Sequence, residues 1–233
     1  MVRLGGKKPG DGLKRGTLHK AAQDLRYLLE RGYPRERVLT LVGDRYRLEA
    51  PERQLLRRGV HVPSRARARR RRLLGLAQCA GRAVGIDGHN VLITLESALA
   101  GRRLVRADDG VVRDISGLGR HHRPGELTWR AARLMARALA RAGAASAAAW
   151  FDAPISRSGE LAARVEDILV QAGVPARARA VPVPERELLR HQGPVASSDS
   201  ALMDQVAQPL DLAGEIIRGL DPAPALECLD ENY

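Results

Sequence analysis

The chain has 233 residues, room for one domain of ordinary size and a smaller companion, and its 44% hydrophobic fraction holds only 3% aromatics, so Leu, Val and Ala must fill the core. Cys79 and Cys228, far apart and without a CxxC partner, exclude a disulfide framework or a zinc finger. No apolar segment follows Met1 and no run of about 18 apolar residues occurs, so the sequence predicts a soluble, cytoplasmic protein with no membrane partner.

The net charge of +12 is unevenly placed. Residues 1–80 carry 21 Lys and Arg against 7 Asp and Glu, a balance of +14, and the remainder carries 18 against 20, a balance of −2. A basic lobe attracts polyanions, because neutralising phosphates releases condensed counterions. RNA is the expected partner, with DNA as the alternative.

Residues 1–16 read as a disordered basic tail. A basic helical unit is expected over 17–62. Thr17 caps its first helix, in which Leu18, Ala22, Leu25 and Leu29 recur at helical spacing up to Gly32. Pro34 opens the second, ended by Gly43, and Pro51 the third, ended by Gly59. Residues 63–81 are expected to form a connector helix, capped by Ser64 and running from Arg65 past Leu73 to Ala77. Its arginines Arg69, Arg70, Arg71 and Arg72 are expected to contact phosphate, together with Arg113.

From residue 82 to 220 strands and helices alternate, which predicts an α/β domain with a mainly parallel sheet, since parallel neighbours need crossover connections. Strands are expected at 83–86, 103–106, 145–151, 176–181 and 195–196. Helices are expected at 91–99, 127–142, 158–172, 184–190, 200–205 and 210–220. Residues 108–123 read as an exposed loop and 221–233 as a loose acidic tail.

In such sheets ligands bind beyond the carboxyl ends of the strands. There stand Asp87 and Asn90, then Asp108 and Asp109, then Asp152, then Asp199 with Asp204 five residues on. Clustered carboxylates repel and raise one another's pKa unless a cation intervenes. Oxygen-only ligands favour Mg²⁺ or Mn²⁺ over zinc, and such ions activate water for phosphodiester hydrolysis. Each Asp taken alone reads first as a helix cap or turn residue, and it is Asp87, Asp152 and Asp199 together that point to a site. Asp204 lies about 140° round a helix from Asp199, so both share a site only if Asp199 precedes the helix proper.

Ile86-Asp87-Gly88-His89-Asn90-Val91-Leu92 resembles the first-strand motif of NYN-domain nucleases, a branch of the PIN-like superfamily. Ala149-Trp150-Phe151-Asp152 resembles that family's next acidic strand end, and Val195 to Asp199 with Asp204 resembles its late Ser-x-Asp segment. The resemblance covers about residues 82–205. It implies a PIN-like three-layer fold, with metal on Asp87, Asp152 and Asp199 and with Asn90 orienting the site. The whole chain also resembles an uncharacterised prokaryotic family, through Ala22 to Tyr33, Val42 to Tyr46, Glu52 to Leu56 and Asp108 to Gly117. That second likeness implies a domain of unknown function.

The expected activity is therefore a Mg²⁺- or Mn²⁺-dependent ribonuclease. Asp87, Asn90, Asp152 and Asp199 form its centre, and Asp204, Asp108 and Asp109 are further metal ligands. Its rivals are a non-catalytic nucleic-acid-binding protein with an inactive PIN-like body and an α/β phosphohydrolase.

Overall fold

Hydrophobic spacing and Gly/Pro punctuation produce four helices at the start of the chain: α1 (Asp11–Glu30), α2 (Arg35–Arg45), α3 (Ala50–Gly59) and α4 (Pro63–Arg72). The computed structural model describes residues 11–116 and 123–230. Proline in the first turn starts α3 and α4, where a missing N–H costs nothing. Glu52 reaches back to the Glu49 N–H at 2.8 Å and closes a capping box on α3. Leu18, Leu25, Leu29, Val38, Leu39, Leu55 and Leu56 pack into one small core.

The remaining elements are a 3-10 turn (Leu76–Cys79), β1 (Ala83–Asp87), α5 (Gly88–Leu99), β2 (Leu104–Arg106), β3 (Val112–Asp114), α6 (Glu126–Arg141), β4 (Ser146–Asp152), α7 (Ser158–Gln171), β5 (Ala176–Val181), α8 (Pro184–Arg190), β6 (Val195–Ala196), α9 (Ser200–Gln205), β7 (Pro209–Leu210), α10 (Leu212–Arg218) and β8 (Leu226–Cys228). The central sheet has the order β5-β4-β1-β6-β7 and is parallel throughout. The chain therefore builds outward from β1 through β4 to β5 and returns to the other side of β1 at β6. The crevice where that order reverses, at the carboxyl ends of β1 and β6, is the ligand position of doubly wound sheets.

Strand pleating sorts the residues of β1. Val84 and Ile86 join the main core with α5, α6 and α7 residues such as Leu92, Met135 and Leu161. Gly85 and Asp87 point to the opposite face, where α8 and α9 supply Leu188 and Leu202 to a cluster with Val195 and Trp150. A second sheet, β3-β2-β8, lies between the two larger cores. Leu104 of β2 enters the main core, while its neighbour Val105 enters the helical core beside Ile115 and Leu229. Among the described residues, no helix is long and apolar enough to cross a membrane.

Several expectations are corrected. Helix α1 begins at Asp11, so residues 11–16 are helical rather than part of a tail; residues 1–10 lie outside the described residues. Helix α4 stops at Arg72, because Leu74 donates its N–H to the Pro209 carbonyl at 2.8 Å and forms a bridge to Leu210. The expected loop after Asp108 contains β3. Gly110, at φ +84, makes the tight turn that folds β3 back onto β2. The rest of that loop, residues 117–122 with His121 and His122, lies outside the described residues. The acidic tail contributes β8, which pairs with β2 and buries Leu229.

Candidate functional site

The site follows from register. Gly85 pairs with Val195 and Ile86 with Ala196, so Asp87 falls level with Ser197 on the same face. Ser197 Oγ donates to Asp87 Oδ2 at 2.8 Å. On the other side Asp87 pairs with Trp150, which places Asp152 two residues further along β4 and on the Asp87 face. Two residues of strand and one strand spacing put their Cα atoms about 8 Å apart.

Asn90, in the first turn of α5, donates Nδ2 to Asp87 Oδ2 at 2.5 Å and accepts on Oδ1 from Ser198 Oγ at 3.4 Å. The Asp199 N–H donates to Ser197 Oγ at 3.0 Å, which orients the serine hydroxyl toward Asp87. Both side-chain donors thus converge on one Asp87 oxygen, and Oδ1 receives neither. Burial pushes the Asp87 carboxyl up to about 7; the Ser197 and Asn90 hydrogen bonds oppose this shift and the Asp152 charge adds to it.

Asp152 is more open, its side chain 38% exposed. His89 Nδ1 lies 3.1 Å from its Oδ2 and also 3.1 Å from its backbone N–H. A protonated Nδ1 donates to the carboxylate, and a bare Nδ1 accepts from the N–H, so the tautomer decides which bond forms. The His89 hydrogen bond holds the Asp152 carboxyl below its ordinary value. Phe151 meets the His89 ring edge-on, with centroids 5.2 Å apart, and fixes its plane.

The other predicted ligands are placed elsewhere. Asp199 precedes α9 and caps it, Oδ1 accepting from the Leu202 N–H at 2.8 Å. Asp204 is forked by Arg69 at 2.5 and 2.8 Å. Asp108 is forked by Arg26 at 2.9 and 2.7 Å and takes the His61 N–H. Asp109 is fully buried and forked by Arg113 at 2.6 and 2.8 Å, with Arg69 at 3.0 Å. Among the described residues, no group of three His, Cys, Asp or Glu side chains is placed to hold a metal ion. Asp199 stands beside Asp87 through Ser197 but turns one oxygen to the α9 cap, so the expected three-carboxylate metal group is not formed among the described residues.

Of the arginines expected to contact phosphate, two are placed inside the protein. Arg69 and Arg113 are 4% and 2% exposed and hold carboxylates inside the protein, so neither reaches a surface phosphate. Arg72 donates to the carbonyls of Val206 and Met203. Arg70 lies 3.6 Å from Asp230, and Arg71 is exposed.

The sequence reading passed over two features. Arg113 Nε donates to the Ser198 carbonyl at 2.8 Å and so props the loop that carries Ser197. Asp211 follows β7 one position beyond Leu210, level with Ser197 in register. It caps α10 through the Gly214 N–H at 3.0 Å and takes the Val112 N–H at 3.2 Å. Burial raises its carboxyl to about 6 against the pull of Arg218. The strand-end rule finds Asp211 only if Pro209-Leu210 is read as a strand.

A family model described as "Domain of unknown function (DUF5616)" matches residues 76–215, and one described as "Protein of unknown function (DUF434)" matches residues 17–72. An uncharacterized protein of Methanocaldococcus jannaschii is 29% identical over 206 residues, which cover 88% of this chain and 98% of the relative. No solved structure matches the chain.

Proposed function

We propose that this chain, which belongs to the DUF5616 family of domains of unknown function, is a PIN-like, NYN-type nuclease that hydrolyses RNA phosphodiesters with Mg²⁺ or Mn²⁺. The observation that carries the reading is Asp87. A carboxyl buried at the reversal point of a parallel sheet, level with two oriented donors and one strand from a second carboxylate, is a costly arrangement for structure alone.

The donor set fits a hard cation. Mg²⁺ is ordinarily held by one or two carboxylates and keeps several waters, so Asp87 and Asp152 suffice as its protein ligands. Such an ion supplies an activated water and neutralises charge on the leaving oxygen. Asn90 and Ser197 fix the Asp87 carboxylate by binding one oxygen. His89 positions Asp152 from behind. Arg113, holding the Ser198 carbonyl, keeps the serine loop against Asp87.

A non-catalytic RNA-binding role is the second reading. It is favoured by the use of Asp199 as a helix cap, which leaves two carboxylates rather than three. The discriminating experiment is cleavage of an end-labelled single-stranded RNA with Mn²⁺ by wild type and Asp87→Asn. The nuclease reading expects the rate to fall at least about 10²-fold, the scale of losing a centre worth several kcal/mol. Cleavage that persists in the variant, purified free of host nuclease, refutes it.

A further inference from the structure

A cleft of about 500 Å³ lies between the helical unit and α9. Arg35, Arg57 and Arg65 line one side, Ser200 and Asp204 the other, and Tyr33 stands at the rim with 57% of its surface exposed.

The cations in this cleft outnumber their partners. Arg57 is matched by Glu36, with two contacts of 2.7 Å. Asp204 is already forked by Arg69, and Arg65 reaches it only at 3.8 Å. Glu30, the other acid of the lining, accepts from the Ser64 N–H and hydroxyl. Arg35 donates to the carbonyls of Arg57 and Val60, and among the described residues no carboxylate forms a salt bridge with it. Burial lowers the pKa of Arg35, with Glu36 opposing and the guanidiniums of Arg57, Arg113 and Arg69 adding to the effect. His61 at the floor is held neutral, its pKa well below the usual value, by burial and then by Arg113, against the pull of Asp109. The cleft therefore presents two poorly neutralised guanidiniums, Arg35 and Arg65, beside an exposed aromatic ring.

We propose that this cleft holds a phosphate and the adjacent base of a single-stranded nucleic acid, with the phosphate on Arg35 and Arg65 and the base stacked on Tyr33. A basic groove with an exposed ring is the combination that grips single strands, because phosphates need cations and every base offers a π face. The cleft is also close along the chain to the proposed catalytic pair. Ser200 on its wall is three residues from Ser197, at most about 10 Å of extended chain, and Ser197 touches Asp87. A strand anchored in the cleft thus has its next phosphates within reach of Asp87. This assignment rests on the nuclease reading for its purpose, but the binding it describes needs neither metal nor cleavage.

The test is fluorescence anisotropy of a 3′-labelled 15-nucleotide single-stranded RNA with the full chain in EDTA, across a salt series. Arg65→Gln is expected to weaken binding at least fivefold and to flatten the plot of log affinity against log salt by about 0.7, the contribution of one phosphate contact in a single strand. Tyr33→Ala is expected to weaken binding about fivefold or more with the slope unchanged. Both side chains are largely exposed, so the folded state tolerates the changes. Affinities within twofold of wild type for both variants, with equal slopes, overturn the assignment. So does a duplex of the same sequence that binds as tightly as the single strand. Binding that depends on Arg65 and Tyr33, in a protein that cleaves nothing, refutes the nuclease and keeps the cleft. Cleavage with binding indifferent to both residues does the reverse.

Discussion

Ser197 Oγ donates to Asp87 Oδ2 at 2.8 Å, across the crevice between the ends of β6 and β1. The two residues are 110 apart in sequence, yet the register of two neighbouring parallel strands sets them level. The bond joins the two halves of the sheet at the point where the strand order reverses.

The raised pKa of Asp87 makes a stability prediction. Its folded value, about 7, lies above the ordinary 3.8, so the folded state binds more protons than the unfolded state between those values. Its contribution is fully present below about pH 4 and is lost as pH rises through 7. Asp87→Asn removes that loss. In metal-free urea denaturation the variant is expected to match wild type only below about pH 4 and to exceed it by a margin that grows with pH, reaching about 2–4 kcal/mol at pH 8, from the size of the shift. A variant less stable than wild type at pH 8 contradicts the burial argument.

Metal and proton compete for the same carboxylate. Stabilisation of wild type by millimolar Mn²⁺ in a thermal-shift assay is expected to grow between pH 6 and 8 and to be absent in Asp87→Asn, since only a ligand bound to the native state raises Tm. Equal shifts in the two proteins would place the ion elsewhere.

Arg113 is fully committed to Asp109 and the Ser198 carbonyl. Burial alone would raise the Asp109 carboxyl; Arg113, and then His61 and Arg69, outweigh it and hold the carboxyl well below the usual range. Arg113→Met leaves the buried Asp109 carboxylate with Arg69 as its remaining guanidinium partner and is expected to cost about 2–4 kcal/mol, whereas the double variant Arg113→Met/Asp109→Leu should recover most of it. Chemical denaturation of both proteins measures this, and a single variant no worse than the double one counts against the network.

Gly88 is required by close packing. A Cβ there would lie 2.4 Å from the Phe151 ring. Gly88→Ala is expected to lose about 1–3 kcal/mol, as overpacked cores do, and Phe151→Leu in the same chain should relieve much of it. An unperturbed melting temperature for Gly88→Ala would show that α5 enters the sheet differently.

The parts of this architecture that are legible in the sequence are those with local signals. Ile86-Asp87, Phe151-Asp152 and Ala196-Ser197 each show an apolar run ending in a polar residue, and the structure places each at the carboxyl end of a central strand. Two kinds of feature are not legible. Strands of two or three residues, such as β7 and β8, carry no periodicity and exist only because a neighbour supplies their hydrogen bonds. Ion pairs such as Arg69–Asp204, 135 residues apart, depend on how α4 docks against α9. For that reason Asp109, Asp204 and Arg113 looked like a functional group in sequence and prove to be an internal brace. Asp199 illustrates the ambiguity of strand-end aspartates, since capping a helix and binding a ligand call for the same residue at the same place.

The most direct test of the central claim is the anomalous scattering of crystals of the full chain grown with Mn²⁺. The account predicts a peak within coordination distance of carboxylate oxygens of both Asp87 and Asp152, lost in Asp87→Asn crystals grown the same way. A map at millimolar Mn²⁺ with no peak between these residues, or with its peak on other residues, contradicts it.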